Sequence, residues 1–236
     1  MPDLHLIRMH ILVPQLFQFA RARHLHSQER AAIRYMLHML LKELFKEQGV
    51  GRFFVEKEYD GVIQVVAYGP SSACLHRQAD EFADPQAYRC LDWQFFASKP
   101  MPAFPEGRRL RFQILVNPAA SDRSQGRKRD IFHLRKNPDS SREEVYAEWL
   151  RGRLGSVELE SFQTLNFWKE PVLFRGTGGR NTGGRTERVI DLPVADFGGT
   201  INVSSAEVPL LISLLDGGIG RGGAFGFGML RVLPAI

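Results

Sequence analysis

Between Ser27 and Gly49, the residues Ile33, Leu37, Leu40, Leu41 and Leu44 recur three or four positions apart, which marks one apolar face of an α-helix. Ser27 is placed to cap its start, Glu29 falls in the first turn, and Gly49 closes its end. A helix is therefore expected over 27–48, and strand-like segments flank it. Residues 3–13 alternate and are β-branched in places. A polar, basic connection is expected from there to Arg21-Ala-Arg-His-Leu-His26. Residues 51–57 and 62–69 read as two strands joined at Tyr59-Asp60-Gly61, a hairpin signal. A helical or irregular piece fits 72–83, and a further strand fits 91–97.

That order, βαββαβ, is the ferredoxin-like unit. The proline-rich stretch Lys99-Pro-Met-Pro-Ala-Phe-Pro105 then reads as a linker. Beyond it, Arg109 to Val116 alternates cleanly, and residues 128–135 are expected to pair with it. Ser141 to Leu154 reads as a helix, with Ser140 or Ser141 as cap and Glu143 and Glu144 near its start. Strands are expected at 162–174 and 187–197 around a Gly/Arg-rich loop, then a short apolar helix at 205–215 and a last strand at 225–233. The expected fold is α+β, two tandem ferredoxin-like (RRM-like) βαββαβ domains spanning residues 1–98 and 99–236.

Composition narrows the function classes. Hydrophobic residues make up 44% of the 236, enough for a packed core. Lysine and arginine number 31 against 26 acids, a net charge of +5 that favours a polyanionic partner. Cys74 and Cys90 are the only cysteines and form no Cys-x-x-Cys pair, which argues against a zinc site or a disulfide framework. The N-terminus lacks the uninterrupted apolar core of a signal peptide, and no stretch approaches the ~20 apolar residues of a membrane helix. A cytoplasmic protein without a membrane partner is expected.

Near the C-terminus runs Gly217-Gly-Ile-Gly-Arg-Gly-Gly-Ala-Phe-Gly-Phe-Gly228. Glycine permits positive φ and close approach of backbone N–H groups to a phosphate, and Arg221 adds a fixed charge. A dinucleotide loop would follow a strand and open a helix. Here the expected order is helix, loop, strand, and no Gly-Lys-Ser/Thr occurs, so no small-molecule cofactor is expected. The segment Gly218-Ile-Gly-Arg-Gly-Gly-Ala-Phe-Gly-Phe-Gly-Met-Leu230 resembles the hallmark loop of CRISPR-associated repeat-cleaving endoribonucleases of the CasE type. Lys99-Pro through Glu106-Gly-Arg-Arg-Leu-Arg-Phe112, Val116-Asn-Pro118, Gly126-Arg-Lys-Arg129 and Glu148-Trp-Leu150 extend the resemblance. It is strongest over 99–154 and 189–234 and weakest over 160–188.

The resemblance implies metal-independent cleavage of precursor CRISPR RNA within its repeat hairpin. The ribose 2′-OH attacks the adjacent phosphate, leaving a 2′,3′-cyclic phosphate and a 5′-OH, and the enzyme keeps the mature crRNA. It also implies partnership with other subunits of a CRISPR effector complex, in type I-E or type IV systems. Such relatives carry their histidine where the first helix begins, in a Tyr-x-x-His-like setting. The matching stretch here is Arg23-His-Leu-His26, which makes His26 the first choice for catalysis and His24 the second. Histidine titrates near neutrality and serves as base or acid. Arg23 stands where many relatives have tyrosine. It remains protonated, so it suits charge stabilisation rather than proton abstraction. Without the resemblance, His24 and His26 read as an ordinary exposed loop pair. His38 lies inside the expected helix, twelve residues from His26, and is expected several turns away from it.

Positive charge falls in three clusters: Arg21, Arg23, Arg30 and Arg34; Arg123, Arg127, Lys128 and Arg129; and Arg175, Arg180, Arg185 and Arg188. With Gly218, Gly220, Arg221, Gly222 and Gly223 they form the expected RNA-binding set. Trp168 and Phe167 are able to stack on a base but read as core, since Leu165, Phe167 and Leu173 suggest a buried strand. The competing function is a non-catalytic subunit that binds the crRNA handle and scaffolds an effector complex. The two differ in whether imidazole at the helix entrance is needed.

Overall fold

The computed structural model describes residues 4–24, 30–46, 49–102, 104, 108–122, 127–135, 137–177 and 185–233. Two four-stranded antiparallel sheets form the framework, each carrying helices. The first contains β1 (His5–Leu12), β2 (Phe53–Tyr59), β3 (Val62–Gly69) and β4 (Ala97–Pro100), in the order β2-β3-β1-β4. The second contains β5 (Arg108–Val116), β8 (Glu158–Thr177), β9 (Arg185–Val203) and β10 (Leu230–Leu233), in the order β10-β5-β9-β8. Within each set the first and third strands are central, the arrangement of two ferredoxin-like domains. A separate pair, β6 (Ala119–Asp122) and β7 (Arg127–Asp130), lies between β5 and β8 in sequence.

The helices are α1 (Val13–Ala22), α2 (Arg30–Phe45), α3 (Ser72–Phe82), α4 (Pro85–Tyr88), α5 (Arg142–Leu154) and α6 (Val208–Gly217). The long helix forms where apolar spacing placed it. Its buried face is Ala32, Met36, Leu37, Leu40, Leu41, Leu44 and Phe45. The residues expected to begin it, Ser27 and Glu29, lie outside the described residues. At α5, Ser141 accepts from the Glu144 N–H and Glu144 accepts from the Ser141 N–H, a reciprocal cap.

Four expectations are corrected. The polar connection after β1 is instead α1. Pro14 sits in its first turn, and Leu16, Phe19 and Ala20 bury one face, a 3.6-residue period that the neighbouring arginines obscure. The strand expected at 91–97 is mostly a 3₁₀ turn at Trp93–Phe95, with Asp92 accepting from the Gln94 N–H. The strand itself comes later, at β4. It pairs only with β1, so Pro100 sits on a sheet edge where its missing N–H costs nothing, two residues past the expected domain boundary. Residues 128–135 do not pair with β5. Arg127–Asp130 pairs with Ala119–Asp122, and Asp130 caps a 3₁₀ turn at Ile131–Leu134 by accepting from the Phe132 N–H. Finally, Leu165 is exposed rather than buried.

β8 and β9 are far longer than expected, and among the described residues no third strand pairs with their outer half. β5 pairs with β9 only as far as Val116 opposite Ala195, whereas β8 and β9 continue together to Thr177 opposite Arg185. This two-stranded arm lies over α2. Leu173 on the arm joins the core of the first domain, and Val172 joins that of the second.

Candidate nucleic-acid interface and active site

The glycine segment takes its shape from one arginine of the first domain. Arg52, just before β2, donates from Nε to Gly217 O (2.7 Å), from Nη1 to Ile219 O (3.2 Å) and Phe227 O (2.8 Å), and from Nη2 to Gly220 O (2.9 Å). Carbonyls turned inward to one guanidinium require a backbone that repeatedly reverses. Gly218, Gly220, Gly222, Gly226 and Gly228 accordingly hold φ between +68° and +86°. At Gly228 a Cβ would also meet Ile219 O at 2.0 Å. Several loop N–H groups are used internally: Ile219 donates to Gly228 O, Phe225 and Phe227 to Gly222 O, and Gly228 to Leu115 O. The glycines expected to cradle RNA thus build an interdomain clasp in the first instance. Of the expected set, Gly218, Gly220, Gly222 and Gly223 lie on this clasp, and Arg221 is exposed beside it, bridged through its backbone to Asn117.

Arg34 on α2 reaches the same loop. Its guanidinium pairs with Glu170 of the arm, donates to Phe225 O (3.2 Å) and lies 5.1 Å from the Phe227 ring centre. Arg34 therefore joins three elements of the two domains, and its side chain is 16% exposed, which leaves little of it for RNA. Arg30 opens α2, four residues before Arg34.

The C-terminus of α1 presents the other expected residues. Arg21 is exposed. Arg23 ends the helix half-buried: it lies over the Phe19 ring at 4.4 Å, 3.4 Å from Glu43 of α2 and 4.0 Å from Asp84. His24 follows with φ +58°, exposed, its N–H donating to Arg21 O. His26 lies outside the described residues, as do Arg123 and Arg180. Arg127 and Lys128 belong to β7, and Arg129 there sits 3.3 Å from Asp122. Arg175 and Arg185 belong to the outer arm, opposite Glu187 and Thr177 respectively; Arg188 is exposed opposite Phe174. The structure thus groups Arg21, Arg23 and His24 at one end of α1, the α2 and glycine-loop residues at the domain junction, and the β7 and arm residues on separate ribbons.

Sequence reading missed Arg52, since a lone arginine opening a strand carries no pattern, and it passed over His38. The latter is half-buried on the face of α2 away from the core, and burial followed by the charge of Lys42 pushes its imidazole below its ordinary 6.5. Trp168 and Phe167 are both half-buried. The indole donates to Glu170 (3.1 Å), and the Arg142 guanidinium covers the Phe167 ring at 4.1 Å. Among the described residues, no helix is long and apolar enough to cross a membrane, and no three His, Cys, Asp or Glu side chains converge as a metal site would require.

The fold matches solved structures over nearly its whole length. Thermus thermophilus Cse3 bound to an RNA representing a pre-cleavage complex aligns with a TM-score of 0.59 and 22% identity, covering 98% of this chain and 100% of that one. Cas6e from Escherichia coli K-12 aligns at 0.57 and 18%, covering 98% and 100%. A chain of a CRISPR RNA-guided surveillance complex aligns at 0.58 and 17%, covering 97% and 98%. No curated protein sequence matches. The family model described as CRISPR associated protein matches residues 4–234, and the chain accordingly belongs to that family of CRISPR-associated proteins.

Proposed function

We propose that the protein is a metal-independent endoribonuclease that cuts precursor CRISPR RNA within its repeat hairpin and stays bound to the mature crRNA. The observation that carries this reading is membership of the CRISPR-associated family together with a full-length fold match to an RNA-bound Cse3. In this reading the ribose 2′-OH attacks the neighbouring phosphate, forming the cyclic phosphate and releasing the 5′-oxygen. His26 is the catalytic histidine, with His24 as the second candidate. Arg23, fixed by Phe19 and Glu43, faces the developing charge. The first domain, 1–98, supplies this entrance, and the second, 99–236, supplies the basic ribbons and the glycine loop. Arg188 on the arm and Arg129 on β7 contact phosphates. The match to a chain of a surveillance complex supports other subunits of an effector complex as partners.

One observation favours the second reading, a handle-binding subunit without catalysis: Arg23 is already flanked by Glu43 and Asp84, which offset its charge. The test is cleavage of the cognate repeat hairpin by wild type, His26→Ala, His24→Ala and Arg23→Ala. Loss of cutting in His26→Ala alone, with binding retained, supports the histidine assignment. Greatest loss in Arg23→Ala would move catalysis to the arginines. Tight binding by a wild type that never cuts would leave the handle-binding reading.

A further inference from the structure

α2 and the glycine loop enclose a groove of about 510 Å³, lined by Tyr35, His38, Met39, Lys42, Glu43, Lys46 and Ala224. That volume lies in the range of small-ligand sites. Tyr35, His38 and Lys42 lie on successive turns of one helix face, and Ala224 belongs to the 3₁₀ turn of the clasp. The Tyr35 and His38 rings are 6.5 Å apart, centre to centre. Lys42 is exposed, and among the described residues no carboxylate pairs with it, whereas Lys46 is bound to Glu43 at 2.7 Å. Glu43 also meets Arg23, so the groove opens beside the end of α1. An imidazole, a phenol and an unpaired ammonium thus share one wall of the groove, which Ala224 of the glycine loop also lines. A core role does not account for His38, because the buried face of α2 points elsewhere.

We propose that this groove seats a phosphodiester of the bound RNA at the cut, with His38 as the base that takes the 2′-OH proton and Lys42 as the cation beside the phosphate. This rests on the endoribonuclease reading above and completes it. The 2′-oxygen bonds to phosphorus as its proton passes to the His38 ring nitrogen. The bond from phosphorus to the 5′-oxygen breaks, and that oxygen takes a proton, the part that the endoribonuclease reading above gives to His26. Solvent then restores both protonation states.

The groups facing His38 are consistent with this role. Lys42 on its own helix brings an ammonium, Tyr35 brings a phenol, Glu43 is shared between Lys46 and Arg23, and among the described residues the glycine loop contributes Ala224. Partial burial and Lys42 both disfavour the imidazolium, so the ring is free to accept a proton at neutral pH.

The experiment is single-turnover cleavage of the repeat hairpin by His38→Ala, His38→Gln, Lys42→Ala and His26→Ala, with hairpin affinity and thermal midpoint measured alongside. A second substrate carries sulfur in place of the bridging 5′-oxygen at the cut, a leaving group that needs no acid. The expected result is a His38→Ala rate ~10²-fold or more below wild type, with affinity within threefold. The sulfur substrate should restore His26→Ala and leave His38→Ala slow. His38→Ala cutting within threefold of wild type, or being restored by sulfur, overturns the assignment while leaving the endoribonuclease reading intact. A wild type that binds but does not cut the ordinary substrate overturns both.

Discussion

Replacing Arg52 by alanine removes the donor to four loop carbonyls at once. Hydrogen bonds from a charged donor contribute about 1.5–3 kcal/mol each when isolated, but they share one guanidinium and are not additive. Arg52 is also only half-buried, so water replaces part of what is lost. A net cost of about 3 kcal/mol is expected, most of it from the carbonyls of Ile219 and Phe227, deepest in the clasp. For a chain of this size each kcal/mol moves the thermal midpoint by roughly 2–4 °C, so a fall of about 6–12 °C should appear in calorimetry. Arg52→Lys should recover only part of it, because an ammonium lacks the planar fork that spans Gly217 O and Phe227 O together. A fall in Arg52→Ala below about 2 °C, or full recovery in the lysine variant, would refute the reasoning that this guanidinium holds the loop.

Three further outcomes follow from the geometry. Gly228→Ala should destabilise by more than about 2 kcal/mol in urea unfolding, because its φ is +86° and the new methyl would meet Ile219 O, whereas Gly217→Ala, with open space around it, should stay within about 1 kcal/mol. Burial pushes the Cys90 thiol from 9.0 up to about 12, so the unfolded chain releases this proton first as pH rises. The stability it contributes is complete below pH 9 and is lost between 9 and 12, at up to ~1.4 kcal/mol per pH unit, and Cys90→Ala should flatten the decline measured from pH 8 to 10. Substituting exposed Arg188 by glutamine should weaken hairpin binding and lower the slope of log affinity against log salt by about 1, as loss of a single phosphate contact does.

Much of the architecture was legible because its signals are local. The α2 face, the reciprocal cap of α5 and the hairpin turn at Asp60 and Gly61, both at positive φ, follow from residues within a few positions of each other. α1 was obscured because Arg21 and Arg23 crowd the end of a helix whose apolar face is only three residues wide. β4 was hidden by its one proline, Pro100, which an edge strand tolerates. The site was less legible for a different reason. The glycine segment announced unusual backbone, but its partner Arg52 stands 165 residues away from Gly217, and no spacing rule connects them. His38 likewise gains interest only once Ala224, from the far end of the chain, closes the groove beside it.

The central claim is cleavage by the RNA's own 2′-oxygen, and one measurement meets it directly. The purified protein is incubated in EDTA with its repeat hairpin and with the same hairpin carrying deoxyribose immediately upstream of the cut, and product ends are identified by mass. The account predicts cutting of the ribose substrate in EDTA, a 2′,3′-cyclic phosphate end, and an intact deoxyribose substrate. Cutting of the deoxyribose hairpin, or cutting that EDTA abolishes, would contradict it.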